Sequence, residues 1–133
     1  MEAEDFRAVV GGIIQKSDEV TGRIIHEVEN QEAFEEVAQN LRVLARASAK
    51  DKHLLVVGLQ GMQKPRVVTV TGEGINDMLA LEVADVGLAM GNGCSAAKEK
   101  ADLILTDNDF EASLRAIMWG RNIYHNVSRF LQF

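Results

Sequence analysis

Apolar and polar positions alternate in a regular rhythm from Leu41 onward. Short aliphatic or β-branched runs predict strands at residues 41–47, 65–71, 85–90 and 102–106. Apolar positions at helical spacing predict intervening helices at residues 50–62, 76–83 and 95–100. Strands and helices that alternate at this length are typical of a parallel sheet with right-handed crossovers. The sequence therefore predicts an α/β fold in which a Rossmann-like parallel sheet is flanked by helices.

The first 40 residues have a different pattern. The runs VGGIIQK and TGRIIHEV predict a small β-hairpin around the turn SDEVTG. Asn30 is the predicted N-cap of a short surface helix that follows the hairpin. One face of this helix carries the apolar side chains Phe34, Val37, Ala38 and Leu41.

The last segment predicts a long amphipathic helix from Phe110, capped by Asn108 or Asp109. Its apolar positions at helical spacing are Phe110, Leu114, Ile117, Met118, Tyr124, Val127 and Leu131. The opposite side is favoured by Arg115, Arg121, His125 and Arg129. We interpret it as a stalk-like helix whose apolar face packs on the sheet. The alternative is a basic helix that binds a membrane surface or a calmodulin-like groove.

These patterns describe a single domain. The hairpin and short helix occupy residues 1–40, the α/β core residues 41–109 and the stalk-like helix residues 110–133. A formal net charge of -6 disfavours nucleic acid as a partner. The single cysteine, Cys94, excludes an internal disulfide and suits a reducing compartment. The N-terminal segment has no signal-peptide pattern, so we expect a cytoplasmic location.

Candidate chemistry lies where the predicted strand at residues 65–71 ends. Thr71, Gly72 and Gly74 allow the backbone to turn tightly and approach a phosphate closely. Glu73 and Asp77 would repel an anion unless a cation lay between them, which indicates Mg²⁺. Lys52 is a candidate for the positive charge on a phosphoryl oxygen. From spacing alone, the alternative is an ordinary glycine-rich turn capped by Asp77.

Several ordered segments resemble one known family. They are RVLARASAKDK, VVTVTGEGINDMLALEVADVGLAMG, AAKEKADLILTDNDF and MWGRNIYHNVSRFLQF. In this order they are similar to the phosphorylation domain of P-type ATPases of the calcium-transporting type, within the haloacid dehalogenase-like superfamily. The resemblance covers residues 41–133 well and residues 6–40 weakly. It implies the C-terminal part of such a domain.

The resemblance implies roles for individual residues. Lys52 matches a lysine that contacts the phosphoryl group, Asn76 a phosphate-contacting asparagine and Asp77 a carboxylate beside Mg²⁺. At Glu73 the family has an aspartate that ligates Mg²⁺ directly. Because the glutamate is longer and Mg²⁺ requires oxygen distances of about 2.0–2.1 Å, we expect a weak or remodelled magnesium site.

The family's nucleophilic Asp-Lys-Thr-Gly-Thr motif is not matched anywhere in the sequence. We therefore expect a partial domain that supplies the magnesium- and phosphoryl-binding half of the site and does not hydrolyse ATP or transport ions alone. ATP would bind only in a complete pump. The alternative function is a regulatory or protein-interaction module that keeps the scaffold without catalysis. Expected partners are the remainder of a P-type ATPase or another protein at an exposed sheet edge, or a second copy of the chain.

Overall fold

The computed structural model describes residues 1–17, 24–64 and 66–133. Its helices are α1 (Ala3–Val10), α2 (Gln31–Asn40), α3 (Ala49–Gln60), α4 (Met78–Val83), α5 (Ser95–Lys100) and α6 (Glu111–Gln132). Its strands are β1 (Ile13–Ser17), β2 (Ile24–Val28), β3 (Thr69–Gly72), β4 (Val86–Met90) and β5 (Leu103–Leu105). A 3₁₀ turn, Ile75–Asp77, precedes α4. Most of the predicted turn SDEVTG lies outside the described residues.

The predicted parallel sheet is confirmed. Its strand order is β3-β4-β5, and both pairings are parallel. Helices α4 and α5 connect successive strands, as the alternating pattern predicted. Because all three strands run the same way, their carboxyl ends at Gly72, Met90 and Leu105 lie at one edge of the sheet. This edge is where open parallel sheets bind ligands.

The predicted strand at residues 41–47 does not form. Within the described chain, Ala45 makes only an isolated parallel bridge to Glu2. Arg46 has φ of 56°, which is left-handed and interrupts the extended conformation. A strand is stabilised by hydrogen bonds to neighbouring strands, and this short bridge does not provide a full ladder. The apolar pattern of this segment therefore did not suffice to make a strand.

The N-terminal part contains more structure than its sequence indicated. The antiparallel β1–β2 hairpin is confirmed, and Asn30 caps α2 by accepting a hydrogen bond from the Ala33 amide at 3.1 Å. Helix α1 was not predicted. It places Phe6 and Val10 one helical turn apart, facing inward. These two side chains form a hydrophobic cluster with Val28, Phe34, Leu54 and Val57.

Helix α3 begins with a capping box. Ser48 and Asp51 exchange hydrogen bonds between side chain and backbone, which satisfies amides that lack helical partners. Further along, Gly58 packs against Phe34 so closely that a Cβ atom at Gly58 would overlap the ring. Val56 faces a second cluster with Val68 and Ala80. The helix is therefore anchored on two sides.

The interpretation that the apolar face of the last helix packs on the sheet is wrong for most of its length. Only Ala112 and Ser113 are buried, and Ala116 packs against a small cluster that contains Leu88 and Leu105. The helix has 22 residues and is about 33 Å long, whereas strands of three to five residues span roughly 10–17 Å. The helix therefore extends beyond the sheet and exposes large apolar side chains. Among the described residues, no helix is both long and apolar enough to cross a lipid bilayer.

We expect Phe34→Ala to lower the free energy of unfolding by about 3–5 kcal/mol, because the ring is fully buried between α1 and α3. The matched control is Phe130→Ala, where the side chain is 79% exposed and the change should stay within about 0.5 kcal/mol. Urea unfolding followed by circular dichroism measures both values. Equal midpoints for the two variants would contradict the described core.

Candidate functional site

The candidate site lies at the carboxyl end of β3. The strand ends at Gly72, and the chain then turns through Glu73 and Gly74 into the 3₁₀ turn that contains Asp77. Lys52 approaches from the first turn of α3, the helix that precedes β3. Two residues far apart in the sequence thus meet at the edge where the sequence predicted the site.

Lys52 and Asp77 form an ion pair. The Lys52 Nζ atom donates to Asp77 Oδ1 at 2.6 Å. The Lys52 side chain is 39% exposed and that of Asp77 is 16% exposed. The pair is therefore partly shielded from solvent, and its lysine remains accessible from outside.

The second oxygen of Asp77 organises the loop after β3. Asp77 Oδ2 accepts hydrogen bonds from the Glu73 amide at 3.1 Å and the Gly74 amide at 3.0 Å. The Asp77 side chain lies across Gly72, where an added Cβ atom would come within 2.6 Å of Asp77 Cβ. Gly72 is therefore needed for close packing of the carboxylate against the strand end.

The hydrogen bonds of Asp77 lower its pKa. Burial alone would raise the pKa of this carboxyl, but the hydrogen bonds from Lys52 and from the Gly74 and Glu73 amides outweigh burial. The net pKa lies below the usual value of 3.8. Asp77 is thus ionised in the folded protein at neutral pH.

The other predicted site residues lie nearby and are more open. Glu73 and Asn76 are exposed, Thr71 is half-buried on β3, and the Gly74 amide is already bonded to Asp77. Phosphate contacts by Thr71, Gly72, Gly74 and Asn76 stay a prediction.

A resident Mg²⁺ ion does not fit this arrangement as it stands. Mg²⁺ takes near-ideal octahedral oxygen coordination, whereas both Asp77 oxygens already accept hydrogen bonds, one from a lysine ammonium. In the described part of the chain, no group of three or more histidine, cysteine, aspartate or glutamate side chains is placed to hold a metal. The roles of Glu73 and Asp77 as magnesium ligands stay a prediction.

The loops at the carboxyl edge are joined to one another by bonds that sequence reasoning missed. The Cys94 amide donates to the Glu73 carbonyl oxygen at 2.8 Å, which ties the loop after β4 to the loop after β3. The Asn92 amide donates to Asn108 Oδ1 at 3.0 Å, which ties it to the loop after β5. Asn108 therefore does not cap α6, and Asp109 accepts from the Glu111 amide there. The glycines in the run GNG were the sequence signal that could have predicted this close approach of the loops, because a Cβ atom at Gly93 would lie 3.1 Å from Glu73.

A family model described as haloacid dehalogenase-like hydrolase matches residues 7–117. The chain belongs to this family. The Lys52–Asp77 ion pair lies at the carboxyl ends of the parallel strands, where the sequence motifs predicted the site.

Individual relatives are P-type ATPases. Plasma membrane calcium-transporting ATPase 3 of Homo sapiens is 53% identical over 108 residues, which covers 77% of this chain and 9% of that protein. Plasma membrane calcium-transporting ATPase 1 of Mus musculus is 50% identical over 107 residues, again covering 77% of this chain and 9% of the relative. The chain thus spans about a tenth of the length of these relatives. The resemblance to calcium-transporting P-type ATPases is confirmed.

A solved structure supports the fold of this haloacid dehalogenase-like chain. The catalytic domain of the CPx-ATPase CopB-B, studied for its conformational changes upon nucleotide binding, aligns with a TM-score of 0.50 at 25% identity. The alignment covers 79% of this chain and 56% of that chain. The α/β fold class predicted from the sequence is therefore confirmed.

Lys52→Met should raise the pKa of the Asp77 carboxyl, because it removes the strongest hydrogen bond that favours the ionised form. Above about pH 3.8 the wild-type carboxylate stabilises the fold, and this contribution is lost as the pH falls through the lowered pKa. In the variant the folded pKa lies closer to the unfolded value, so the contribution should be smaller and its loss should be complete at a higher pH. Carbon-detected NMR titration of the Asp77 carboxyl measures the change.

The control for this titration is Lys50→Met, which removes an exposed lysine from the same helix. It should leave the Asp77 titration in place. A titration curve for Lys52→Met that coincides with the wild type would show that the ion pair is not formed in solution.

Proposed function

We propose that this chain forms the lysine-carboxylate half of the phosphoryl-transfer site in a phosphorylation domain of the calcium-transporting P-type ATPase kind. The observation that carries the proposal is the Lys52–Asp77 ion pair at 2.6 Å, at the carboxyl edge of the parallel sheet. The similarity to plasma membrane calcium-transporting ATPases supports it. In this proposal the domain lies on the cytosolic face of a membrane, and Mg²⁺ and ATP act only with the complete pump.

The proposed role of Lys52 is to neutralise charge on a phosphoryl oxygen. Asp77 holds the Lys52 ammonium at the strand end, beside the loop whose amides bind the other carboxylate oxygen. A positioned cation of this kind lowers the activation free energy of phosphoryl transfer, because it need not move during the reaction. Lys52 keeps enough exposure for a phosphoryl group to reach it from solvent.

The nucleophile would come from another polypeptide segment. Within the described residues β3 pairs only with β4, so the backbone groups on the other side of β3 have no strand to pair with. A strand that added in parallel at this edge would end beside Lys52 and Asp77, because parallel strands bring their carboxyl ends together. A carboxylate at the end of that strand would complete an aspartyl-phosphate site. The chain alone should be catalytically silent.

The second candidate is a protein-interaction module that keeps the scaffold without catalysis. It is favoured by the exposed position of Glu73 and by the hydrogen bonds that both Asp77 oxygens already accept within the protein. Such a module would use the open edge of β3 to bind a partner strand, with no phosphoryl group involved. The first candidate function requires the Lys52 side chain, whereas the second does not.

Complementation in trans tests the proposal. The chain is mixed with a second polypeptide that carries the Asp-Lys-Thr-Gly-Thr strand and nucleotide-binding domain of a calcium pump. We expect acid-stable labelling by radiolabelled ATP, together with amide NMR shifts along Thr69–Gly72 as the new strand pairs with β3. Glu73→Asp should increase the labelling if the shorter carboxylate restores magnesium binding.

The controls separate the two candidates. Lys52→Ala should abolish labelling and preserve the shifts along β3, whereas Lys50→Ala should preserve both. Shifts along β3 without labelling in any variant would support the interaction module. Labelling that survives Lys52→Ala would overturn the proposed role of this lysine.

A further inference from the structure

A cavity lies away from the Lys52–Asp77 pair, between the β1–β2 hairpin and α3. Its volume is about 580 Å³. The residues that line it and bear on its chemistry are Arg7, Gln15, His26, Lys50, Asp51 and His53. Lys52 and His53 are adjacent on α3 and so point about 100° apart, which separates this cavity from the ion pair at the sheet edge.

Two imidazole rings meet in this cavity. His26 on β2 and His53 on α3 have ring centroids 5.2 Å apart, with the ring planes at 68°. A metal ion bound to two imidazole nitrogens at about 2.0–2.1 Å, with a tetrahedral angle between them, places the ring centroids roughly 5 Å apart. The observed separation of 5.2 Å is compatible with a shared tetrahedral ion, and it also lies in the range of an ordinary edge-to-face ring pair.

One nitrogen in this pair lacks a partner. The Nε2 atom of His53 is buried, and it has no hydrogen-bond partner among the described residues. A buried polar atom without a partner costs free energy, so such an atom in a cavity indicates a ligand. The Nε2 atom of His26 shares a hydrogen bond with Gln15 Nε2 at 3.4 Å at the same cavity, and an ion bound at this nitrogen would replace Gln15 as its partner.

The surrounding charges leave the His53 imidazole available as a ligand. Arg7 is neutralised by the buried Asp51, with Nη1 and Oδ2 at 2.6 Å, and Lys50 is exposed. Burial lowers the pKa of His53, His26 lowers it further, and Glu82 on α4 raises it. The net pKa lies below the usual 6.5, so His53 is neutral at pH 7 and its ring offers a lone pair.

We infer that His26 and His53 form a binding site for a divalent transition-metal ion of the Zn²⁺ or Cu²⁺ class. Imidazole nitrogen suits these borderline ions, whereas Mg²⁺ prefers oxygen ligands. With two protein ligands, water completes the coordination shell, and the ion binds reversibly. Because one ligand comes from β2 and the other from α3, the ion would join the hairpin to the helix. This inference is independent of the proposed function.

Zinc titration of the intact chain tests the inference. Isothermal calorimetry should show one Zn²⁺ ion per chain at pH 7.5, and long-range nitrogen–proton NMR should show shifts in the rings of His26 and His53. Each of His26→Ala and His53→Ala should weaken binding by at least about tenfold, since one coordinate bond is lost. Mg²⁺ should leave both rings unshifted.

Two controls locate the ion. His125→Ala removes an exposed histidine on α6, and Cys94→Ser removes the only cysteine; both should bind Zn²⁺ as the wild type does. His26→Ala is the decisive variant if His53→Ala fails to fold, because His26 lies on the hairpin and is half-buried only. Absence of Zn²⁺ binding by the wild type, or full binding by a folded His26→Ala variant, would overturn the inference.

Discussion

The packing of α3 is the constraint on which the rest of the described structure depends. Leu54 and Val57 point into the N-terminal hydrophobic cluster, and Val56 points into the cluster beneath β3. Because apolar side chains fill both sides, the helix has one rotational setting. Lys52 then faces the sheet edge and His53 faces the hairpin. Lys52 and His53 are adjacent in the sequence but lie in different environments, because the burial of α3 sets the direction of each side chain.

Asp77 connects helix α3 to the loop at the end of β3. One carboxylate oxygen binds Lys52 and the other binds two backbone amides, so the carboxylate joins α3 to the turn. Both carboxylate oxygens therefore already accept hydrogen bonds from the protein. The haloacid dehalogenase-like scaffold is therefore present with Lys52 paired to Asp77 at the carboxyl end of β3. Cys94 and Asn108 hold the neighbouring loops in register with this one.

The elements that the sequence predicted well have local causes. The parallel strands β3, β4 and β5 were recognisable as apolar runs bounded by turn residues, and Asn30 lies at a helix start where its side chain accepts a backbone amide. The elements that it predicted poorly depend on neighbours. Residues 41–47 had the composition of a strand but, in the described part of the chain, pair only with Glu2, and α6 had an apolar face but a sheet too short to cover it. Helix α1 was missed because its inward residues, Phe6 and Val10, stand among charged ones.

The fold class, the family and the location of the candidate site follow from the sequence alone, because strand periodicity, glycine turns and ordered motifs are properties of short segments. It also named Lys52 and Asp77 as members of one site. The contacts themselves are visible only in the tertiary structure. There Lys52 and Asp77 form an ion pair at 2.6 Å, and Asp77 accepts hydrogen bonds from the Glu73 and Gly74 amides. His26 and His53 likewise pack against each other. Such contacts join residues that are far apart in the chain, and their distances depend on how whole helices and strands pack.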